Sequence, residues 1–229
     1  MRLDKYISLA LDISRTEAKT IIKNKQISVN NQVIISSNFE VSTNDLIQYQ
    51  NEVITYLEKA YLLMNKPAGF VCATRDALPT VMDIIPTALF QKDLKILGRL
   101  DKDTEGLLII TNDGDFIHQI TAPKKHIAKK YYVEYSGQLN DNASILIEKG
   151  LQLNEYQALP SKLEIIDEKS LYLTIYEGKF HQVKEMIAAV GGTVTYLKRL
   201  SIGKLTLGNL EVGSVRRLTK EELAQILEE

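Results

Sequence analysis

Gly98-Arg99-Leu100-Asp101-Lys102-Asp103-Thr104-Glu105-Gly106-Leu107-Leu108-Ile109-Ile110-Thr111-Asn112-Asp113-Gly114 is a loop carrying three acids that runs straight into an apolar strand. The aliphatic run Leu107 to Ile110, closed by the turn signal Asn112-Asp113-Gly114, reads as a strand buried on both faces. A scaffold of that kind holds the preceding loop rigidly, as a catalytic loop requires. Gly98 and Gly106 permit tight turns and close approach of a ligand to backbone. The competing reading is a charged surface turn before a core strand, and these residues alone do not separate the two.

Around this strand the texture is strands alternating with a few helices. Tyr61 to Met64 is a buried strand ended by Lys66-Pro67-Ala68-Gly69, with Phe70-Val71-Cys72 as its partner. Tyr131 to Tyr135, Leu163 to Ile166 and Leu171 to Tyr176 read as further strands. Helices are predicted at Ala143–Glu148, His181–Val190 and Lys220–Leu227. The pattern predicts an α+β fold with a mixed, largely antiparallel central sheet.

Residues 1–48 read as a separate compact module, followed by a polar linker over 49–60 and a larger domain over 61–229. Leu3, Tyr6, Ile7 and Ala10 recur at helical spacing, and Ser14-Arg15-Thr16-Glu17 is a capping box opening a second helix with Ala18, Ile21 and Ile22 inward. Ile27-Ser28-Val29, a turn at Asn30-Asn31, and Gln32-Val33-Ile34 read as a hairpin, and Leu46 to Tyr49 as a closing strand. Arg2, Lys5, Arg15, Lys19 and Lys23 make this module basic. Such a face is either simply solvated or docks on RNA phosphates.

Composition narrows the functional classes. The 229 residues include 28 basic and 29 acidic side chains, a net charge of −1, which argues against a nonspecific coat on nucleic acid. A single cysteine and three histidines leave no disulfide and no Cys-rich zinc site, so no metal and no cofactor are expected. No apolar run reaches the ~18–20 residues that span a bilayer, and the N-terminus lacks a signal-peptide core. The expectation is a cytoplasmic monomer.

Three ordered segments carry a resemblance. Gly98-Arg99-Leu100-Asp101, Thr104, Gly106-Leu107 and the strand ending Thr111-Asn112-Asp113-Gly114 are similar to the catalytic motif of RsuA-type pseudouridine synthases. Lys129-Lys130-Tyr131-Tyr132-Val133 resembles that family's Lys-x-Tyr-x-Val segment, and Gly178-Lys179-Phe180-His181-Gln182-Val183-Lys184 its Gly-basic-x-His-Gln-Val-basic motif. Leu197-Lys198-Arg199, Ile202-Gly203 and Gly213 with Arg216 continue it, while Arg2 to Tyr6, Ser14 to Ala18 and Val29-Asn30 resemble the RNA-binding module of ribosomal protein S-four. Where the family often has a second basic residue after the position of Lys184, this chain has Glu185, which weakens the case for an RNA contact there.

The resemblance implies a small S-four-like RNA-binding module joined to a pseudouridine synthase catalytic domain. Asp101 is the implied catalytic carboxylate, Lys184 its ion-pair partner and Tyr131 the ring stacked on the base. Asp103 is left as a loop residue. Implied RNA contacts are Arg2, Lys5, Arg15, Lys19, Lys23, Arg99, Lys124, Lys125, Lys129, Lys130, Lys179, His181, Gln182 and Arg199. The implied substrate is ribosomal RNA in a partly assembled small-subunit particle, with uridine 516 of 16S rRNA as target.

The chemistry fits these residue types. Breaking the bond from ribose to a uracil nitrogen needs a carboxylate as nucleophile or general base. In a desolvated pocket that carboxylate needs a nearby cation to stay ionised. The target base must be flipped out to reach it. The alternatives are a large-subunit rRNA synthase of the same family, a glycosidic-bond hydrolase releasing free uracil, and a noncatalytic RNA-binding assembly factor.

Overall fold

The computed structural model describes residues 1–42, 44–56, 59–91, 93–121 and 125–227. Its first sheet belongs to the N-terminal module. Helices α1 (Leu3–Ala10) and α2 (Arg15–Lys23) pack on strands β1 (Ile27–Val29), β2 (Gln32–Val33), β3 (Ile47–Tyr49) and β4 (Glu52–Val53), which lie in the order β2-β1-β3-β4. The capping box is formed: Ser14 Oγ accepts from the Glu17 amide at 3.2 Å, and the Glu17 carboxylate accepts from the Ser14 amide at 2.8 Å. Leu3, Ile7, Ala18, Ile22, Ile27 and Ile47 form the core, whereas Ile21 is only half-buried.

The stretch expected to be a linker from residue 49 starts instead as a second hairpin. Gln50 and Asn51 take left-handed φ values of 52° and 69°, as Asn30 and Asn31 do at 50° and 67°, and turn the chain back so that β4 pairs with β3. Tyr6 Oη then donates to the Ile54 carbonyl at 3.2 Å and accepts from the Tyr56 amide at 2.9 Å, tying these residues to the module.

Among the described residues the second sheet has nine strands: β5 (Tyr61–Lys66), β6 (Lys95–Leu97), β7 (Glu105–Thr111), β8 (Lys129–Gly137), β9 (Lys162–Ile165), β10 (Ser170–Ile175), β11 (Gly192–Ile202), β12 (Leu205–Thr206) and β13 (Val215–Arg217). The order is β13-β5-β7-β11-β8-β10-β9, with β12 on β11 and β6 on β7. The pairing of β7 with β11 is parallel and the other pairings are antiparallel, which is the mixed, largely antiparallel sheet expected. Helices α3 (Gly114–Thr121), α4 (Ala143–Lys149), α5 (Gln182–Ala189) and α6 (Lys220–Leu227) cover it.

Strand β7 shows why its sequence is apolar throughout. Leu107 and Ile109 join Leu63, Ile120, Ile202 and Ile226 on one face, while Leu108 and Ile110 join Met64, Val133, Leu173 and Met186 on the other. Phe70-Val71-Cys72 does not form the expected partner strand. Pro67 lacks an amide donor, Gly69 turns at φ +93°, and Val71 makes a single bridge to Thr80. Helix α3 and the length of β11 were not read from the sequence, although Asp113 accepts from the amides of Asp115 (3.2 Å) and Phe116 (3.3 Å) as a helix-capping aspartate does. Among the described residues no helix is long and apolar enough to cross a membrane.

Candidate active site

The acidic loop between β6 and β7 is gripped from beneath by two buried cations. Arg199 of β11 is 1% exposed; its Nη2 donates to the Gly98 carbonyl at 2.6 Å and its Nε to the Leu107 carbonyl at 2.8 Å. Its Nη1 reaches Tyr131 Oη at 3.4 Å. Lys66, at the end of β5 and fully buried, donates to the carbonyls of Pro67 (3.0 Å), Lys102 (3.2 Å) and Thr104 (2.8 Å). Burial pushes the Lys66 amine down from the usual lysine range, against the opposing pull of neighbouring acidic groups. The Leu100 amide donates to Cys72 Sγ at 3.3 Å, and Thr104 N to the Asp101 carbonyl at 3.1 Å.

Gly106 is needed where β7 passes β11. A Cβ on it would stand 2.2 Å from the Arg199 carbonyl oxygen, and its φ is +106°. The strands approach this closely because the residue has no side chain.

Asp101 emerges on top of this platform with its carboxylate 22% exposed. Lys184, from the first turn of α5, places Nζ 3.2 Å from Asp101 Oδ2. The same ammonium lies 2.7 and 2.9 Å from the two oxygens of Asp103, so Asp103 is more than a loop residue: it is the closer partner of Lys184. Burial favours neutral Lys184, but hydrogen bonds and charge from Asp103 and Asp101 outweigh it and hold the amine above its usual range. Burial likewise pushes the Asp103 carboxyl up, and Lys184 outweighs it and holds it low. His181 Nε2 sits 3.5 Å from Asp101 Oδ1, longer than a good hydrogen bond.

Asp101 lines a cavity of about 570 Å3, within the range of small-molecule sites. Tyr131, 6% exposed on β8, forms its wall with Leu100, Ile175, Val183 and Leu197. The structure thus brings Asp101, Lys184 and Tyr131 to one cavity, with Arg99 exposed at its rim.

Several expected RNA contacts are placed otherwise. Arg199 is no surface cation: β11 is an inner strand, and its side chain points into the sheet's support of the loop. Gln182 is 2% exposed and is held by Glu177, to which its Nε2 donates at 2.9 Å, while its Oε1 accepts from the Lys179 amide at 3.1 Å. Lys129 and Lys130 are neighbours in sequence, but a strand sends them to opposite faces. Lys129 lines the cavity beside Tyr131, its amine pushed down to about 8 by burial and then by the Arg199 charge. Lys130 lies on the far face, 3.1 Å from Glu164 and over the Tyr172 ring at 4.2 Å.

In the module, Arg2 and Arg15 are half-exposed and both bind the fully buried Asp4, at 3.0 and 2.6 Å. Burial pushes the Asp4 carboxyl up, and these two guanidiniums outweigh it and hold it low. Lys5, Lys19 and Lys23 are exposed, as are Lys125, Lys179 and His181, whereas Lys124 lies outside the described residues. Sequence reasoning missed Lys66, for which the available signal was a lysine at the end of a buried strand.

Comparison with known proteins places both parts of the chain in families. Residues 60–189 match the family model described as RNA pseudouridylate synthase, and residues 1–47 match the S4 domain. The chain is 37% identical to ribosomal small subunit pseudouridine synthase A of Haemophilus influenzae, over 99% of this chain and all of that one. It is 38% identical to the Escherichia coli K12 protein of the same name, with the same coverage. It is 39% identical to an uncharacterized RNA pseudouridine synthase of Bacillus subtilis, over 97% of each. A crystal structure of a pseudouridylate synthase superposes with a TM-score of 0.68 at 36% identity, covering 99% of both chains.

Proposed function

Because the chain belongs to the RNA pseudouridylate synthase family, we propose that it converts a uridine of small-subunit ribosomal RNA to pseudouridine, the target being uridine 516 of 16S rRNA. The relatives named small subunit pseudouridine synthase A support the choice of subunit, since they align with this chain from end to end. It acts as a cytoplasmic monomer on a partly assembled particle.

The observation that carries the reading is the pairing of Asp101 with Lys184 at 3.2 Å beside a cavity walled by Tyr131. Uridine isomerisation breaks the bond from ribose C1′ to uracil N1, turns the base, joins C1′ to C5 and releases the C5 proton. Asp101 supplies the anion, as nucleophile or base. Lys184, 3.2 Å away, supplies the counter-charge such a carboxylate needs when a bound base displaces water from the cavity. Tyr131 stacks on the flipped uracil, and an aromatic face is worth on the order of 1–3 kcal/mol per base. Lys5, Lys19 and Lys23 hold RNA phosphates, a salt-dependent and sequence-blind contribution.

The test is to map pseudouridines in ribosomal RNA from cells with and without this protein, and from cells carrying Asp101→Asn. One small-subunit pseudouridine should vanish in the deletion and in the variant, while the variant protein binds RNA as before. Pseudouridine persisting in the Asp101→Asn cells would sink the mechanism, and release of free uracil would mark a hydrolase.

A further inference from the structure

Phe180 is 78% exposed, the highest value among the exposed large apolar side chains of the described residues, and it stands at the mouth of the cavity. It is not adrift there. Its ring stacks on the imidazole of His181, with centroids 3.8 Å apart and planes 20° from parallel. One face is thus covered by an aromatic neighbour, and the exposure leaves the opposite face to solvent. His181 in turn stands 3.5 Å from Asp101 and holds a left-handed φ of +49°, a conformation uncommon outside glycine. Strained backbone at such a position is retained where the surroundings require it, and it clusters at ligand clamps.

We propose that Phe180 is an RNA-stacking residue: its open face takes the nucleobase flanking the target uridine. The inference rests on the pseudouridine synthase reading and adds a residue to it. Flipping a uridine into the cavity strips a stacking partner from its neighbour in the strand. An aromatic face at the rim replaces that partner, and it does so whatever the neighbouring base is. The Phe180–His181 stack holds this face in register with Asp101, so the flanking base and the catalytic carboxylate are positioned by one short segment. An aliphatic side chain at the same position would cover area but offer no parallel π-face.

The experiment uses full-length protein with a 16S rRNA transcript carrying tritium at uridine C5 and bound to small-subunit ribosomal proteins. Isomerisation releases the C5 tritium to solvent. Phe180→Leu and Phe180→Ala should lower kcat/KM roughly tenfold, mainly through KM, while Phe180→Tyr retains wild-type values. Melting temperatures of all variants should match the wild type, because the ring is not part of a core. A 2-aminopurine placed beside the target uridine should be quenched on binding wild type and stay bright with Phe180→Leu. Release by wild type with Phe180→Leu equal to it in kcat/KM and quenching overturns the inference alone. No release by wild type overturns the function on which it rests.

Discussion

Replacing Arg199 with Met separates a buried strut from a phosphate contact. The guanidinium makes two short hydrogen bonds to backbone carbonyls, Gly98 at 2.6 Å and Leu107 at 2.8 Å, and a long one to Tyr131 at 3.4 Å. Each charge-assisted bond contributes about 1.5–3 kcal/mol, so losing the two short ones removes roughly 3–6 kcal/mol. Methionine keeps the apolar stem packed, and the desolvation of a buried cation disappears with it, which offsets part of the loss. A net destabilisation of about 2–4 kcal/mol follows, a drop of roughly 5–15 °C in melting temperature for a domain of this size. Freeing the Gly98 carbonyl also loosens the loop that carries Asp101, and a displacement of ~1 Å at a reacting group can reduce kcat about 100-fold. RNA affinity should keep its salt dependence, since no phosphate partner is removed. Arg199→Lys should fall between, because one ammonium cannot span both carbonyls as a planar fork does. Urea denaturation, tritium-release kinetics and RNA binding at several salt concentrations measure the three quantities. An unchanged denaturation midpoint, together with a salt slope lower by about one, would refute the buried-strut reading.

Gly106→Ala should prevent stable folding, because the new methyl would sit 2.2 Å from the Arg199 carbonyl oxygen at a φ of +106°; a loss of more than about 3 kcal/mol is expected, read as insoluble expression or a collapsed melting temperature. Lys129 should make stability rise with pH. Its folded pKa of about 8 lies below the 10.5 of a free lysine, so the unfolded chain binds more protons between those values, and folding gains as pH rises through that window. Denaturation midpoints at pH 7.5 to 10.5 should show the rise in wild type, and Lys129→Met should flatten it. Changing Lys19 and Lys23 together to Gln should lower the slope of log affinity against log salt by about 1–2 and leave kcat at saturating RNA unchanged; a constant slope would remove the α2 face from the RNA contact.

Local chemistry made much of this protein readable from its sequence. The Ser14–Glu17 capping box depends on residues three apart, and the β7 strand on an unbroken aliphatic run, so both are found where expected. What the sequence could not supply is what lies across the sheet from each side chain. Lys129, Lys130 and Arg199 all stood as implied RNA contacts until β8 turned the two lysines to opposite faces and β11 became an inner strand. The support of the loop by Lys66 joins residues 36 and 38 positions apart, and that by Arg199 spans 92 and 101. The residue types around Asp101 are therefore legible in the chain, whereas Asp103 as the nearer partner of Lys184 is decided only by tertiary structure. The reason is physical: caps and strand patterns are short-range, but burial and ion pairing depend on strand order and register, which many distant residues set together.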